Sequence, residues 1–448
     1  MDSVSSQSAV AVQKTNKTIH PNRTIGLLDH LGFGNLGDDA TLDSVLQNLR
    51  NRWPHAKVIA FTMNPVDTYK RHHVPSYAIR LKWKSAPHNQ KAVSSDKGFK
   101  ARVKRETAKY RKLFALLRAI NRVTIETPKL LLQESSFLVE SFFLVKDLDL
   151  LVISGGGQLL DSWGGPWAFP YTIFKWVILA KLAHVKCYFV NVGAGPLEHS
   201  LSKWFVKRSL FAADYVSFRD GNSQTLVEQI GFSGKSDVSV DCVYSLDLSI
   251  HHTTNFGGQN EAVVGFSPMA YCDPRVYWDE NQNIYDNYIE KLASFGEWLV
   301  NRQHRIQIFS TEISFDAHAI EDLTVALRNR VGASASIGLG TVDGFSELIS
   351  VIRSSDYVIT CRYHGVILAH LMNKPVLAIS HHHKVMTLMG DLGFSEYCVD
   401  IRKFDLNLLA DTFTRLIENR DQIKDRMDDK AKCYNRELMT QFDRLFPR

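Results

Sequence analysis

The chain has 448 residues, 45% of them apolar, with a formal net charge of +6; that is too long for one ordinary domain and apolar enough for more than one core. The positive balance does not indicate a general affinity for nucleic acid, because residues 97–122 hold ten Lys or Arg against the single Glu106 and the remainder is slightly acidic. Six cysteines (Cys187, Cys242, Cys272, Cys361, Cys398 and Cys433) lie far apart, without the close pairs of a zinc site or redox motif, so reduced thiols in a cytosol are expected.

Residues 1–21 are rich in Ser, Gln, Thr and Val and lack a basic start followed by an unbroken apolar stretch, so they read as a disordered tail, not a signal peptide. The most apolar long stretch, 171–192, is broken by Lys175, Lys181, His184, Lys186 and Asn191 and is no membrane span. A soluble cytoplasmic protein is expected.

From residue 24 onward short apolar runs alternate with longer periodic ones. Strands are predicted at 24–28, 58–62, 150–154, 187–192 and 215–218, with helices such as 40–50 and 174–183 between them. A polar, glycine-bearing stretch near 246–261 reads as a linker. Alternation then restarts, with strands at 262–266, 306–310, 357–360 and 376–379 and helices at 288–300, 317–330 and 345–353. The fold class is therefore α/β: two Rossmann-like domains, 22–250 and 260–430, whose parallel sheets face a central cleft. A last helix, 431–448, packs back on the first domain in this reading. Residues 97–122 interrupt the rhythm as a basic helical insertion with one apolar stripe. They suit either a solvated surface helix or contact with an anionic membrane or a lipid-linked acceptor.

Four strand-end elements carry candidate chemistry. Gly32, Gly34, Asn35, Gly37, Asp38 and Asp39 follow the first strand and open a helix. The glycine spacing is not the dinucleotide fingerprint, and Asp38 or Asp39 could simply cap the helix, the plainer account for Asp39. Gly155, Gly156 and Gly157 expose bare backbone where α/β sheets bind ligands, and nearby Asp161, Trp163 and Trp167 suit a sugar ring or ordinary packing. Arg219 ends the strand at 215–218 beside Asp220, either as a fork for a carboxylate or phosphate or as a plain ion pair, and Asp241 ends the next short run. Arg362, His364 and Lys384 end two strands of the second domain, a cationic rim for a small, highly charged anion. The run His381, His382, His383 suggests a metal only weakly, since consecutive histidines rarely converge, and no metal site is expected.

Taken together, Asn35-Leu36-Gly37-Asp38, the triplet 155–157, Asn191-Val192-Gly193, Ser217-Phe218-Arg219-Asp220 and Arg362-Tyr363-His364 with Lys384 resemble the polysaccharide pyruvyltransferase family in order and spacing, over about 24–393. The resemblance implies a GT-B-like architecture, phosphoenolpyruvate as donor, and a pyruvate ketal on a sugar of a cell-surface or extracellular polysaccharide, or of its lipid-linked precursor. It departs from the family at Asp39, where glutamate is common, and in the basic insertion. The expected donor-binding residues are Arg219, Arg362, Lys384 and Gly155 to Gly157. His364 is the expected general acid, Asp38 the expected base, and Asn35, Asp161 and Trp163 the acceptor contacts. No cofactor is expected beyond the donor, and membrane contact through 97–122 would place the protein at the inner face of the cytoplasmic membrane. The alternative is a nucleotide-sugar-dependent glycosyltransferase of the same architecture; a non-enzymatic glycan-binding scaffold would leave the converging basic residues without a purpose.

Overall fold

The computed structural model describes residues 23–32, 34–81, 127–249, 261–332 and 337–448. The tail at 1–21 and the basic insertion at 97–122 lie outside the described residues, as does most of the linker.

Two parallel sheets organise the chain. The first contains β1 (Thr24–Leu28), β2 (Lys57–Thr62), β3 (Ser76–Ala78), β4 (Leu150–Ser154), β5 (Lys186–Val192), β6 (Tyr215–Phe218) and β7 (Asp237–Val238), in the order β3-β2-β1-β4-β5-β6-β7. The second contains β8 (Val263–Ser267), β9 (Arg305–Ile308), β10 (Ile337–Leu339), β11 (Tyr357–Thr360), β12 (Val376–Ser380) and β13 (Cys398–Asp400), in the order β10-β9-β8-β11-β12-β13. These are the two Rossmann-like domains expected. β4, β8, β11 and β12 are buried along their whole length because helices cover both faces, which is why each reads as an unbroken apolar run. The strands the sequence does not reveal, β3, β7, β10 and β13, are the four sheet edges and only two or three residues long.

In the first domain the helices are α1 (Leu36–Arg52), α2 (Pro65–His72), α3 (Thr127–Val145), α4 (Phe169–Leu182), α5 (Ser200–Ala212) and α6 (Gly221–Gln229). In the second they are α7 (Gln282–Val300), α8 (Ala317–Val331), α9 (Phe345–Ser354), α10 (Tyr363–Leu371), α11 (His383–Leu392), α12 (Leu406–Glu418) and α13 (Arg420–Leu445). α13 starts before the boundary drawn at 431 and crosses to the first domain. There Arg52 Nη2 meets Asp443 at 2.8 Å, the Trp53 and Phe446 rings pack edge-on, and Gln441 exchanges hydrogen bonds with the side chain of Asn191. One apolar core, containing residues of α1, β8, α10 and α13, runs through both domains. The domains are also joined by backbone: Leu36 N–H donates to Thr311 O, and Ile313 N–H donates to Gly34 O. Among the described residues no helix is long and apolar enough to cross a membrane, and all six cysteines are free thiols.

Candidate functional site

In each sheet the strand order reverses direction once, between β1 and β4 and between β8 and β11, and ligands of open α/β sheets bind at such reversals. His30 and the glycine triplet lie in the loops after β1 and β4, and Asp38 in the first turn of α1. Arg362 follows β11, and Tyr363 and His364 open α10. Chain topology therefore aims the two sets at one cleft.

His364 comes from the second domain and rests on the first. A Cβ at position 37 would fall 2.1 Å from His364 Nδ1, so only glycine allows α1 and the imidazole to approach this closely. On the far side of the ring, Nε2 faces Asp241 Oδ2 at 3.7 Å, an electrostatic contact too long for a hydrogen bond. Nε2 is buried and has no hydrogen-bond partner.

Arg219, delivered by β6, shares Asp241 with His364. Its Nη1 donates to Asp241 Oδ2 at 3.2 Å, its guanidinium lies 4.4 Å from the centre of the Tyr363 ring, and its Nε is buried without a hydrogen-bond partner. Gly193 makes room for it, since a Cβ there would stand 2.8 Å from Nε. Burial would raise the pKa of Asp241, but His364 and Arg219 hold it down to about 2.

Lys384, near the start of α11, closes this side of the cleft. A Cβ on Gly157 would stand 3.6 Å from its Nζ and 3.9 Å from Arg219 Nη2, so the third glycine of the triplet borders both cations. The ammonium has no carboxylate within ion-pair distance among the described residues. Burial, reinforced by Arg219 and opposed by Asp220 and Asp38, brings its pKa down to about 8. Arg219, Asp220, Asp241, Tyr363 and Lys384 line a cavity of about 480 Å³, large enough for a small charged metabolite.

Asp38 is buried and pairs with His30, Nε2 to Oδ2 2.9 Å. The other ring nitrogen of His30 lies 3.0 Å from Asp29, which in turn accepts a hydrogen bond from Ser154 Oγ. Burial opposes the charge on His30, yet the two carboxylates carry its pKa well above the ordinary histidine range. Asp38 titrates below the usual carboxylate range in spite of burial, through His30 first and then His364 and Arg219. The cap of α1 is neither aspartate but Asn35, whose side chain accepts from Gly37 N–H, while Asp39 pairs with His72.

The structure gives several expected residues other partners. Arg362 makes a fork on Asp316, Nε to Oδ2 2.9 Å and Nη2 to Oδ1, and its side chain is only 22% exposed. Asp161 accepts hydrogen bonds from the backbone N–H groups of Glu198 and His199 and so clamps a loop. Asn35 is engaged as the helix cap. Trp163 is free: 49% exposed, its ring meets Phe169 edge-on, and Phe169 meets His30 edge-on. Gly155 and Gly156 take positive φ, 38° and 62°, and pack on Thr41 and His30. His381 and His382 are pushed down to about 3 and 4 by burial, and no group of three His, Cys, Asp or Glu residues among the described ones is arranged to hold a metal ion.

His30 escaped the reading from sequence. Its signal was its place two residues beyond the end of β1, the strand beside the reversal, and nothing in its neighbours marks it as a site residue.

Comparisons with known proteins place these features in context. Residues 35–383 match the family described as polysaccharide pyruvyl transferase. The amylovoran biosynthesis protein AmsJ of Erwinia amylovora is 20% identical over 297 residues, which cover 63% of this chain and 69% of AmsJ. Among solved structures, the UDP-GlcNAc 2-epimerase of Neisseria meningitidis bound to UDP-GlcNAc is 11% identical, with 95% of this chain and 100% of that chain covered at a TM-score of 0.54. A glycosyltransferase from Rickettsia africae is 10% identical, with 95% and 98% covered at a TM-score of 0.51. The likeness to both is one of fold, the GT-B-like pairing of two Rossmann-like domains.

Proposed function

Because this chain belongs to the polysaccharide pyruvyl transferase family, we propose that it transfers the pyruvyl group of phosphoenolpyruvate to a sugar of a polysaccharide or its lipid-linked precursor, forming a pyruvate ketal. The observation that carries the reading is a pair of buried nitrogens without a hydrogen bond, Arg219 Nε and His364 Nε2, each 3.7 Å from a carboxylate (Asp220 and Asp241), with Lys384 bordering Arg219 across Gly157. Buried polar groups without a hydrogen bond are costly, and a small anion could satisfy them.

In the proposed reaction Arg219 and Lys384 hold the carboxylate and phosphate of the donor, and His364 gives a proton to its methylene carbon. The positive charge that develops on the neighbouring carbon is attacked by one sugar hydroxyl. Asp38 takes the first hydroxyl proton and passes it to the phosphate as the C–O bond breaks, and the second hydroxyl closes the ketal, its proton restoring His364. The low pKa of Asp38 makes it a weak base, so attack follows carbon protonation, when the hydroxyl has become acidic. Asp241 positions both His364 and Arg219. Arg362, forked on Asp316, fixes the start of α10 and so the place of His364. Trp163 is the proposed platform for the acceptor sugar. The scheme uses no cofactor, and its place is proposed to be the cytoplasm.

Phosphoenolpyruvate is expected to raise the melting midpoint of the purified chain more than any nucleotide sugar. A ligand about 100-fold above its Kd, bound only by the folded state, adds ~2.7 kcal/mol. A shift with a nucleotide sugar and none with phosphoenolpyruvate would favour the glycosyltransferase alternative.

Donor affinity is also expected to depend on Lys384. Its pKa in the free protein is about 8, and an anion binds the ammonium, so binding takes up a proton above that pH. Affinity should therefore fall as pH rises through about 8, and Lys384→Arg, which keeps its charge, should flatten the profile. An identical fall in Lys384→Arg would place the titration elsewhere.

A further inference from the structure

The outer face of the first domain carries a surface that the proposed chemistry does not use. α4 and α5 pack side by side there. Inward-facing residues such as Trp176, Val177, Val206 and Leu210 are buried, as the covered side of a helix layer requires. The outward side is also apolar. Trp167, in the turn that leads into α4, is 52% exposed, Trp204 42% and Phe211 47%, and Leu201 is exposed beside them. Trp167 and Trp204 both pack on the buried Phe205, which links the two exposed rings.

The two helices themselves carry only cations, and the carboxylates bordering them are Glu134, Asp214 and the exposed Glu198 just before α5. Neither α4 (FPYTIFKWVILAKL) nor α5 (SLSKWFVKRSLFA) contains an aspartate or glutamate. Lys175 and Lys181 are paired with Glu134 and Asp214. Lys203, Lys207 and Arg208 have no carboxylate partner among the described residues, and the Arg208 guanidinium lies over the Trp204 ring at 5.9 Å. A two-fold pairing of this face with a second copy would set cation against cation, which disfavours self-association.

We propose that this face docks on an anionic bilayer. Tryptophans that are part apolar and part polar settle at the headgroup level, unpaired cations meet the lipid phosphates, and the two together suffice for peripheral binding. In the chain the patch begins close to the proposed acceptor platform: Trp167 follows Trp163, whose ring meets Phe169, which in turn meets His30. Docking would thus turn the cleft mouth toward molecules held in the membrane. The inference concerns the α4–α5 face, independent of residues 97–122 and of the donor.

The test is co-sedimentation of the full chain with phosphatidylcholine vesicles, with and without phosphatidylglycerol, without donor present. Binding is expected on the anionic vesicles alone and should weaken with salt. Lys203→Glu with Lys207→Glu and Arg208→Glu should lower vesicle affinity by at least about 100-fold, each basic residue being worth roughly fivefold. Trp167→Ser with Trp204→Ser should weaken it as well. The charge variant alters only surface groups, so it decides the matter even if the tryptophan variant fails to fold. The proposal is overturned if the wild type ignores anionic vesicles or if the charge variant binds them unchanged. It is equally overturned if binding is lost only on neutralising the basic residues of 97–122, or if Trp204→Ser instead dissociates an oligomer in sedimentation velocity. An unaltered donor-induced melting shift in these variants keeps the result separate from the catalytic reading.

Discussion

His364→Gln is expected to bind phosphoenolpyruvate nearly as the wild type does and to turn it over about 10² to 10⁴ times more slowly, with the loss in kcat. The ring sits between Gly37, which leaves no space for anything broader, and Asp241 at 3.7 Å. Its Nε2 is buried and has no hydrogen-bond partner. A glutamine fills much of the same volume and can donate a hydrogen bond but cannot transfer a proton at neutral pH. An anion-holding histidine would behave differently, its loss raising KM and sparing kcat. Measuring kcat and KM separately, with a direct donor titration alongside, separates the roles. Wild-type kcat in His364→Gln would send the search for the acid elsewhere.

Arg219 should show the second large effect, and it should be felt in stability as well as binding. Asp241 is 1% exposed and makes its one short ion pair with Arg219. Arg219→Ala would leave that carboxylate charged, buried and held only by His364 and one backbone N–H. Breaking one side of a buried pair costs about 3–5 kcal/mol, so the melting midpoint should drop markedly. Arg219→Lys retains a cation for Asp241 but loses the planar fork. It should fold, and bind the donor at least about 10-fold more weakly, as expected for a charge-assisted hydrogen bond worth roughly 1.5–3 kcal/mol. If Arg219→Lys folds and binds the donor as tightly as wild type, Arg219 serves only to neutralise Asp241.

These expectations rest on contacts whose halves lie far apart in the chain. In the sequence Gly37 and Gly193 are only members of their motifs, yet in the structure they are clearances for His364 and Arg219. The motif residues Arg362, Asp161 and Asn35 fit ligand binding by type and position. Folding engages the first with Asp316, the second with two backbone amides and the third as a helix cap. A side chain's chemistry is visible in its letter, but its availability depends on which partner the fold brings within about 3 Å.

The residues by themselves determined the two parallel-sheet domains, because strands buried on both faces must be apolar along their length and helices must repeat with their own period. Strands at 24–28, 150–154, 215–218 and 357–360 coincide with those observed, and only the edge strands, too short to carry a pattern, were missed. Residue type also placed the arginines, histidine and lysine at strand ends, where such sheets bind ligands. Only the tertiary structure joined Asp241 to both His364 and Arg219, set His30 between Asp29 and Asp38, and placed exposed aromatic rings beside unpaired cations on α4 and α5 among the described residues. The reason is physical: patterning reports what each segment must bury, whereas pairing and exposure depend on which distant segments arrive beside it.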